Sequence, residues 1–175
     1  VAAPWIGLAD VLEANNQLEE ARQCLLRAVQ ADPKFLMARL RLSSTHKGLG
    51  HMAEAEKELE RAFALEPNSA DVHFGFGQLF EDLGRPEAAI KAYRRTLELN
   101  PSASEALANL LGFGRHTDLT VEIAKAREQL EAADVPSQAL IGYGLGKALE
   151  REKDYEGAFS AYSHANDARR KTSGT

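Results

Sequence analysis

The chain has 175 residues, 44% hydrophobic and 27% charged, with a net charge of −5. That length suits one domain with a continuous core, and the acidic balance argues against a nucleic-acid partner, which needs a basic face to meet phosphates. The single cysteine, Cys24, excludes an internal disulfide and fits a reducing, cytoplasmic setting. No apolar run reaches membrane-spanning length and no signal-peptide pattern opens the chain, so no membrane association is expected. The start at Val1, without Met and nearly inside the first helix, reads as a fragment or processed piece.

In chain order, Pro4 suits the first turn of a helix, where its missing N–H would lack a partner anyway. Trp5, Leu8, Ala9 and Leu12 follow at helical spacing and predict one buried face. Asn15-Asn16 breaks that helix. A second carries Ala21, Leu25 and Ala28 and stops before Asp32-Pro33, because proline disfavours helical geometry in the residue before it. The next pair places Leu42, Ser43 and His46 on one face, turns at Gly48-Leu49-Gly50, and continues with Ala55, Leu59 and Ala62 to Pro67. The third has Phe76, Gly77 and Phe80, a stop and start at Gly84-Arg85-Pro86, then Ala89 and Tyr93 before Pro101. A fourth departs: a helix over Ser104–Gly114, a break at Arg115-His116-Thr117-Asp118, and a helix to about Ala133 with Ile123, Ala126 and Leu130, its closing proline displaced to Pro136. The fifth recovers with Leu145, Gly146 and Leu149, a turn near Asp154-Tyr155, then Ala158, Tyr162 and Ala165. Basic residues from Arg169 read as a fraying end or the start of a linker.

Pro33, Pro67 and Pro101 recur every thirty-four residues, as do Ala21, Ala55 and Ala89. A period of that length marks a helical-repeat array. Antiparallel helices approach to about 8–10 Å, so small residues belong at each crossing: Ala9/Ala21, Ser43/Ala55, Gly77/Ala89 and Gly146/Ala158. Large residues such as Trp5, Phe76, Phe80 and Tyr93 fill the space between pairs. This alternation with its closing proline resembles the tetratricopeptide repeat (TPR). The resemblance covers nearly the whole chain and implies an all-α, right-handed superhelical solenoid of about five antiparallel helix pairs. The repeats fall near 2–34, 35–68, 69–102, 103–136 and 137–168, the fourth degenerate, with 169–175 a basic tail. The last third also resembles the end of the repeat region in bacterial TPR-sulfotransferase fusion proteins. It does so through Leu145-Gly146-Lys147, Asp154-Tyr155, Ala158-Phe159 and Asn166 before Arg169-Arg170, while Tyr143-Gly144 departs from that pattern. This implies a catalytic domain downstream; no catalytic residue lies in these 175 positions.

Gly142, Gly144 and Gly146 before Lys147 lack the strand and spacing of a phosphate-binding loop, so close helix packing explains them, as it does Gly75/Gly77 and Gly112/Gly114. The five histidines show no one-turn pair for a metal. His46 falls in a buried aromatic slot, and Cys24 beside Leu25 and Leu26 reads as a packed thiol. The charge run Glu54, Glu56, Lys57, Glu58, Glu60 and Arg61 reads as a solvated helix face. No cofactor, metal or catalytic site is expected. In a TPR array the first helix of each pair lines a concave groove. The resemblance puts Ile6, Asp10 and Glu13; Leu40, Ser44 and Lys47; Phe74, Gln78 and Glu81; Ala108, Gly112 and Arg115; and Tyr143, Lys147 and Glu150 on that surface. Apolar anchors flanked by charges suit an extended peptide or protein partner. The lysine, asparagine and arginine clamp of chaperone-binding TPR proteins is not expected, because Asp10 and Glu13 hold two lining positions of the first repeat. Self-association through the apolar faces of the terminal repeats is a further expectation.

Overall fold

The structure is a computed structural model that describes residues 2–114 and 117–173. Among these are ten helices and no strand: α1 (Ala3–Ala14), α2 (Leu18–Ala31), α3 (Leu36–Gly48), α4 (Met52–Leu65), α5 (Ala70–Asp82), α6 (Pro86–Leu99), α7 (Ser104–Phe113), α8 (Thr120–Ala132), α9 (Val135–Arg151) and α10 (Tyr155–Ser173). The chain forms two compact units, Val1–Ala92 and Tyr93–Thr175. Arg115 and His116 lie outside the described residues.

One turn is built four times. Asn16, Gly50, Gly84 and Lys153 each take positive φ, from 57° to 79°. Each N–H bonds the carbonyl three residues back, and the following N–H reaches five residues back: Gln17 to Leu12, His51 to His46, Arg85 to Phe80 and Asp154 to Leu149, at 2.8–2.9 Å. This is the left-handed C-cap that satisfies the last carbonyls of a helix and reverses the chain. In the fourth pair α8 begins at Thr120, where Asp118 Oδ1 accepts from the Thr120 N–H at 2.9 Å. The carbonyls of the recurring prolines are also held. Arg39 donates to Pro33 O, His73 Nε2 lies 3.0 Å from Pro67 O, and Gln129 donates to Pro101 O at 2.9 Å. Pro136 opens α9 behind Asp134, whose carboxylate accepts from the Ser137 N–H at 2.8 Å. The displaced proline has become a helix start.

In unit 1, α2 packs on α1 and α3, and α3 also meets α4 and α5. The predicted crossing residues Ala9, Ala21, Ser43, Ala55, Gly77 and Ala89 are all buried. Ser43 Oγ donates to Ala55 O at 2.9 Å, so this crossing is bonded as well as tight. Cys24 is buried with Ala9, Ala21, Leu25 and Leu42. Trp5 packs on the same cluster, with the Arg27 guanidinium over its ring at 4.8 Å. In unit 2, α9 packs against α7, α8 and α10, and its glycines open both sides of the helix. A Cβ on Gly144 would lie 2.7 Å from Ala108 O of α7; one on Gly142 would lie 2.9 Å from Ala161 O of α10; one on Gly146 would enter the Tyr162 ring.

Three expectations are corrected. Leu8, expected inside, is 47% exposed, because α2 covers Leu42 at the same register of α3 and no described helix covers that side of α1. Glu58, expected on a solvated face, is buried: Arg39 Nη1 donates to its Oε2 at 2.9 Å and Arg61 to its other oxygen. Ala55, Glu58, Leu59 and Ala62 repeat the buried stripe Ala21, Cys24, Leu25 and Ala28, so Glu58 occupies the cysteine's slot and survives there by pairing. Gly112 is not a tight packing glycine; its Cβ would meet only the Lys147 side chain, at 3.7 Å.

Candidate functional site

Unit 1 contains a cavity of about 460 Å³ bounded by α1, α3, α4 and α5. Gly75 and Leu59 meet in its lining. A Cβ on Gly75 would lie 2.7 Å from Leu59 Cδ2, so its absence lets Leu59 of α4 reach up between α3 and α5 as a floor. Leu40 and Phe74 flank that floor, and Ser44 and Gln78 supply polar atoms beside it.

Six expected groove residues line this cavity together: Glu13, Leu40, Ser44, Lys47, Phe74 and Gln78. Met37, Arg41, Ser43 and Asp71 also line it and were missed. Met37 and Asp71 lie one turn before Leu40 and Phe74, so extending each helical stripe by three residues finds them. Three expected residues of this unit do not line the cavity. Ile6 packs against the core of α1 and α2, Asp10 is exposed, and Glu81 is half-buried on α5.

The rim charges are organised in pairs. Arg41 bonds both Asp10 and Glu13, and Thr45 Oγ1 donates to Glu13 Oε1 at 2.6 Å. Lys47 Nζ lies 3.0 Å from Asp82 Oδ2, which ties α3 to α5 along the rim. Both cations are therefore engaged by carboxylates of this chain. Buried His46 lies outside the cavity. Burial lowers its pKa, Arg22 and His51 add to the shift, and Glu54 and Glu58 oppose it. Its Nδ1 has no hydrogen-bond partner.

In unit 2 the expected residues sit on α9. Tyr143 donates to Asn166 Oδ1 at 2.5 Å, Lys147 lies along Gly112, and Glu150 accepts from the Tyr162 hydroxyl at 3.1 Å. Burial raises the Tyr162 pKa, with the Glu150 hydrogen bond the next cause. Lys147 and Glu150 share a cleft with Asp118, Thr120 and Gly112, the last also an expected lining residue. Ala108 is instead pressed under Gly144. Arg115 lies outside the described residues. Among the described residues no group of three His, Cys, Asp or Glu stands ready to hold a metal ion, and no helix is long and apolar enough to cross a membrane.

Residues 2–45 match one family model of the tetratricopeptide repeat and residues 40–104 match another, together more than half the chain. RNA polymerase II-associated protein 3 of Xenopus tropicalis is 27% identical over 169 residues, covering 88% of this chain and 26% of that protein. The chain spans about a quarter or less of the length of the curated relatives it matches. Pseudomonas aeruginosa PilF superposes with a TM-score of 0.72 at 20% identity, over 95% of this chain and 76% of PilF. The first repeat region of Spaghetti (RPAP3), solved with the HSP90 peptide SRMEEVD, superposes at 0.61 with 25% identity, over 65% of this chain and 90% of that one.

Proposed function

The chain belongs to the tetratricopeptide-repeat family, and from that premise we propose that it is a non-catalytic binding module holding an extended segment of a protein partner against unit 1. The observation that carries this reading is the cavity floored by Leu59 between Leu40 and Phe74, with Ser44 and Gln78 beside it. Apolar anchors in a preformed hollow supply binding area, and adjacent polar atoms fix orientation. The HSP90 peptide bound to the RPAP3 repeats supports a peptide as the ligand class. The terminal-carboxylate mode fits poorly here, since Arg41 and Lys47 are already paired with acidic side chains. The segment is therefore an internal one.

Fluorescence anisotropy tests this with labelled ten-residue peptides carrying one central apolar residue, and with SRMEEVD. Phe74→Ala should weaken binding about tenfold, or about 1.4 kcal/mol, while Tyr143→Ala leaves it unchanged. Amidating the peptide C-terminus should cost nothing. Equal affinity of wild type and Phe74→Ala removes the cavity from the reading.

A second reading follows from the likeness of Leu145-Gly146-Lys147 and Asp154-Tyr155 to the repeat regions that precede sulfotransferase domains. Here the chain is the regulatory or substrate-presenting arm of a bacterial sulfotransferase whose catalytic domain lies downstream. The parent open reading frame past Thr175 decides it: a strand followed by a glycine- and serine/threonine-rich phosphate loop supports it, and a stop codon ends it.

A further inference from the structure

The cavity of unit 1 changes character along its length. Residues at the same register of α3 and α5 line it in pairs: Met37 with Asp71, Leu40 with Phe74, Ser44 with Gln78. By register it is acidic and thioether-lined at one end, apolar in the middle and polar beyond. Met37 is 45% exposed and Asp71 is exposed, so both can be reached by a ligand.

Four charged side chains line the cavity: Glu13, Arg41, Lys47 and Asp71. Three are engaged within the chain. Arg41 bonds Asp10 and Glu13, and Lys47 Nζ lies 3.0 Å from Asp82 Oδ2. Asp71 is different. Its carboxylate makes no cap bond at the start of α5 and, among the described residues, has no hydrogen bond or ion pair. The rim thus sets the carboxylates of Asp10, Glu13, Asp71 and Asp82 against the cations of Arg41 and Lys47. The excess is negative, and Asp71 is the carboxylate among these that no cation of the chain meets. An acid in a first helical turn is favourable through the helix dipole, but that would hold on any face of the turn, and Asp71 stands on the face that lines the cavity.

We propose that the segment held here is basic. An apolar residue sits on Leu59 between Leu40 and Phe74, and a lysine or arginine two places away lays its stem along Met37 and brings its charge to Asp71. This rests on the peptide reading of the cavity and specifies its ligand. In an extended segment, side chains two residues apart point the same way at about 6.6 Å. Asp71 and Phe74 are separated by about 4.5 Å of helical rise. A long flexible stem absorbs the difference. Lysine and arginine bury such stems on apolar surface while the charge stays in water, and a thioether adapts its shape to them. An acidic segment would meet the uncompensated carboxylate and be rejected.

Fluorescence anisotropy with three labelled ten-residue peptides tests this. All have blocked ends and one central leucine, and carry lysine, alanine or glutamate two places to either side of it. Wild type should bind the lysine peptide about threefold more tightly than the alanine peptide, the worth of an exposed ion pair, and the glutamate peptide least. Asp71→Asn should bring the lysine peptide to the affinity of the alanine peptide and leave the alanine peptide unchanged. Asp71→Lys should reverse the order, and Asp71→Glu should keep it. Unchanged helical circular dichroism confirms that these variants fold. Equal binding of the three peptides by wild type, or a preference that survives Asp71→Asn, overturns the basic ligand; if Phe74→Ala still weakens all three, the cavity itself stands. Equal binding by wild type and Phe74→Ala removes the cavity and this inference together.

Discussion

Gly144 and Gly112 lie on facing helices of unit 2 and make opposite demands. At Gly144 a methyl group would meet backbone atoms of Ala108, which cannot swing away; at Gly112 it would meet only the flexible Lys147 side chain. Gly144→Ala should therefore destabilise by about 1–3 kcal/mol through overpacking, whereas Gly112→Ala should be neutral or stabilise by up to about 1 kcal/mol through helix propensity. Urea denaturation of both variants checks the pair. His46 makes a second residue-scale prediction. Its folded pKa is lowered, so the unfolded chain takes up the proton first as pH falls. Its contribution to stability is complete above the ordinary histidine value of about 6.5 and is lost from there down towards the lowered folded value. The urea midpoint should drop between about pH 7.5 and about pH 5.5, and less so in His46→Phe, which fills the same slot without a titrating group. A pH dependence equal in both proteins would place the effect elsewhere.

At the scale of the element, the C-cap turn is the unit that recurs most faithfully. Glycine supplies the left-handed residue at Gly50 and Gly84, and Asn16 tolerates it; Lys153 does not. Lys153→Gly should raise stability by about 1 kcal/mol, the cost of holding a side chain at positive φ. Thermal melts at neutral pH would show it, and an unchanged midpoint would mean that Lys153 gains as much from its setting as it loses in strain. The degenerate fourth pair marks the limit of the pattern. There α7 is closed by Arg151 of α9, which donates to the carbonyls of Leu111 and Gly112.

On the scale of the whole molecule, the interfaces within each unit join helices one or two places apart in the chain, so stability is a sum of local interfaces. Gly144→Ala should accelerate amide hydrogen exchange in α7, α9 and α10 and leave α2 and α3 protected as before. Uniform acceleration across the chain would instead show one cooperative unit. That Leu40, Ser44, Lys47, Phe74 and Gln78 line one cavity follows from a helical stripe on α3 whose copies stand at Phe74 and Gln78 on α5. The cavity itself was not legible in the sequence, because its floor is Leu59 from another helix, admitted by the gap at Gly75.

By itself the sequence determined the all-α class, the helix pairs, the turns at Asn16, Gly50 and Gly84, and the small residues at crossings. These are constraints of size and backbone geometry that a residue type carries wherever it sits. Only the tertiary structure decided that Leu8 lies open while Leu42 is covered, that Glu58 goes inside with Arg39, and that Gly112 touches only a lysine. Each of those outcomes belongs to the residue across the interface. Burial and pairing are properties of two surfaces brought together, and a linear chain states only one of them at a time.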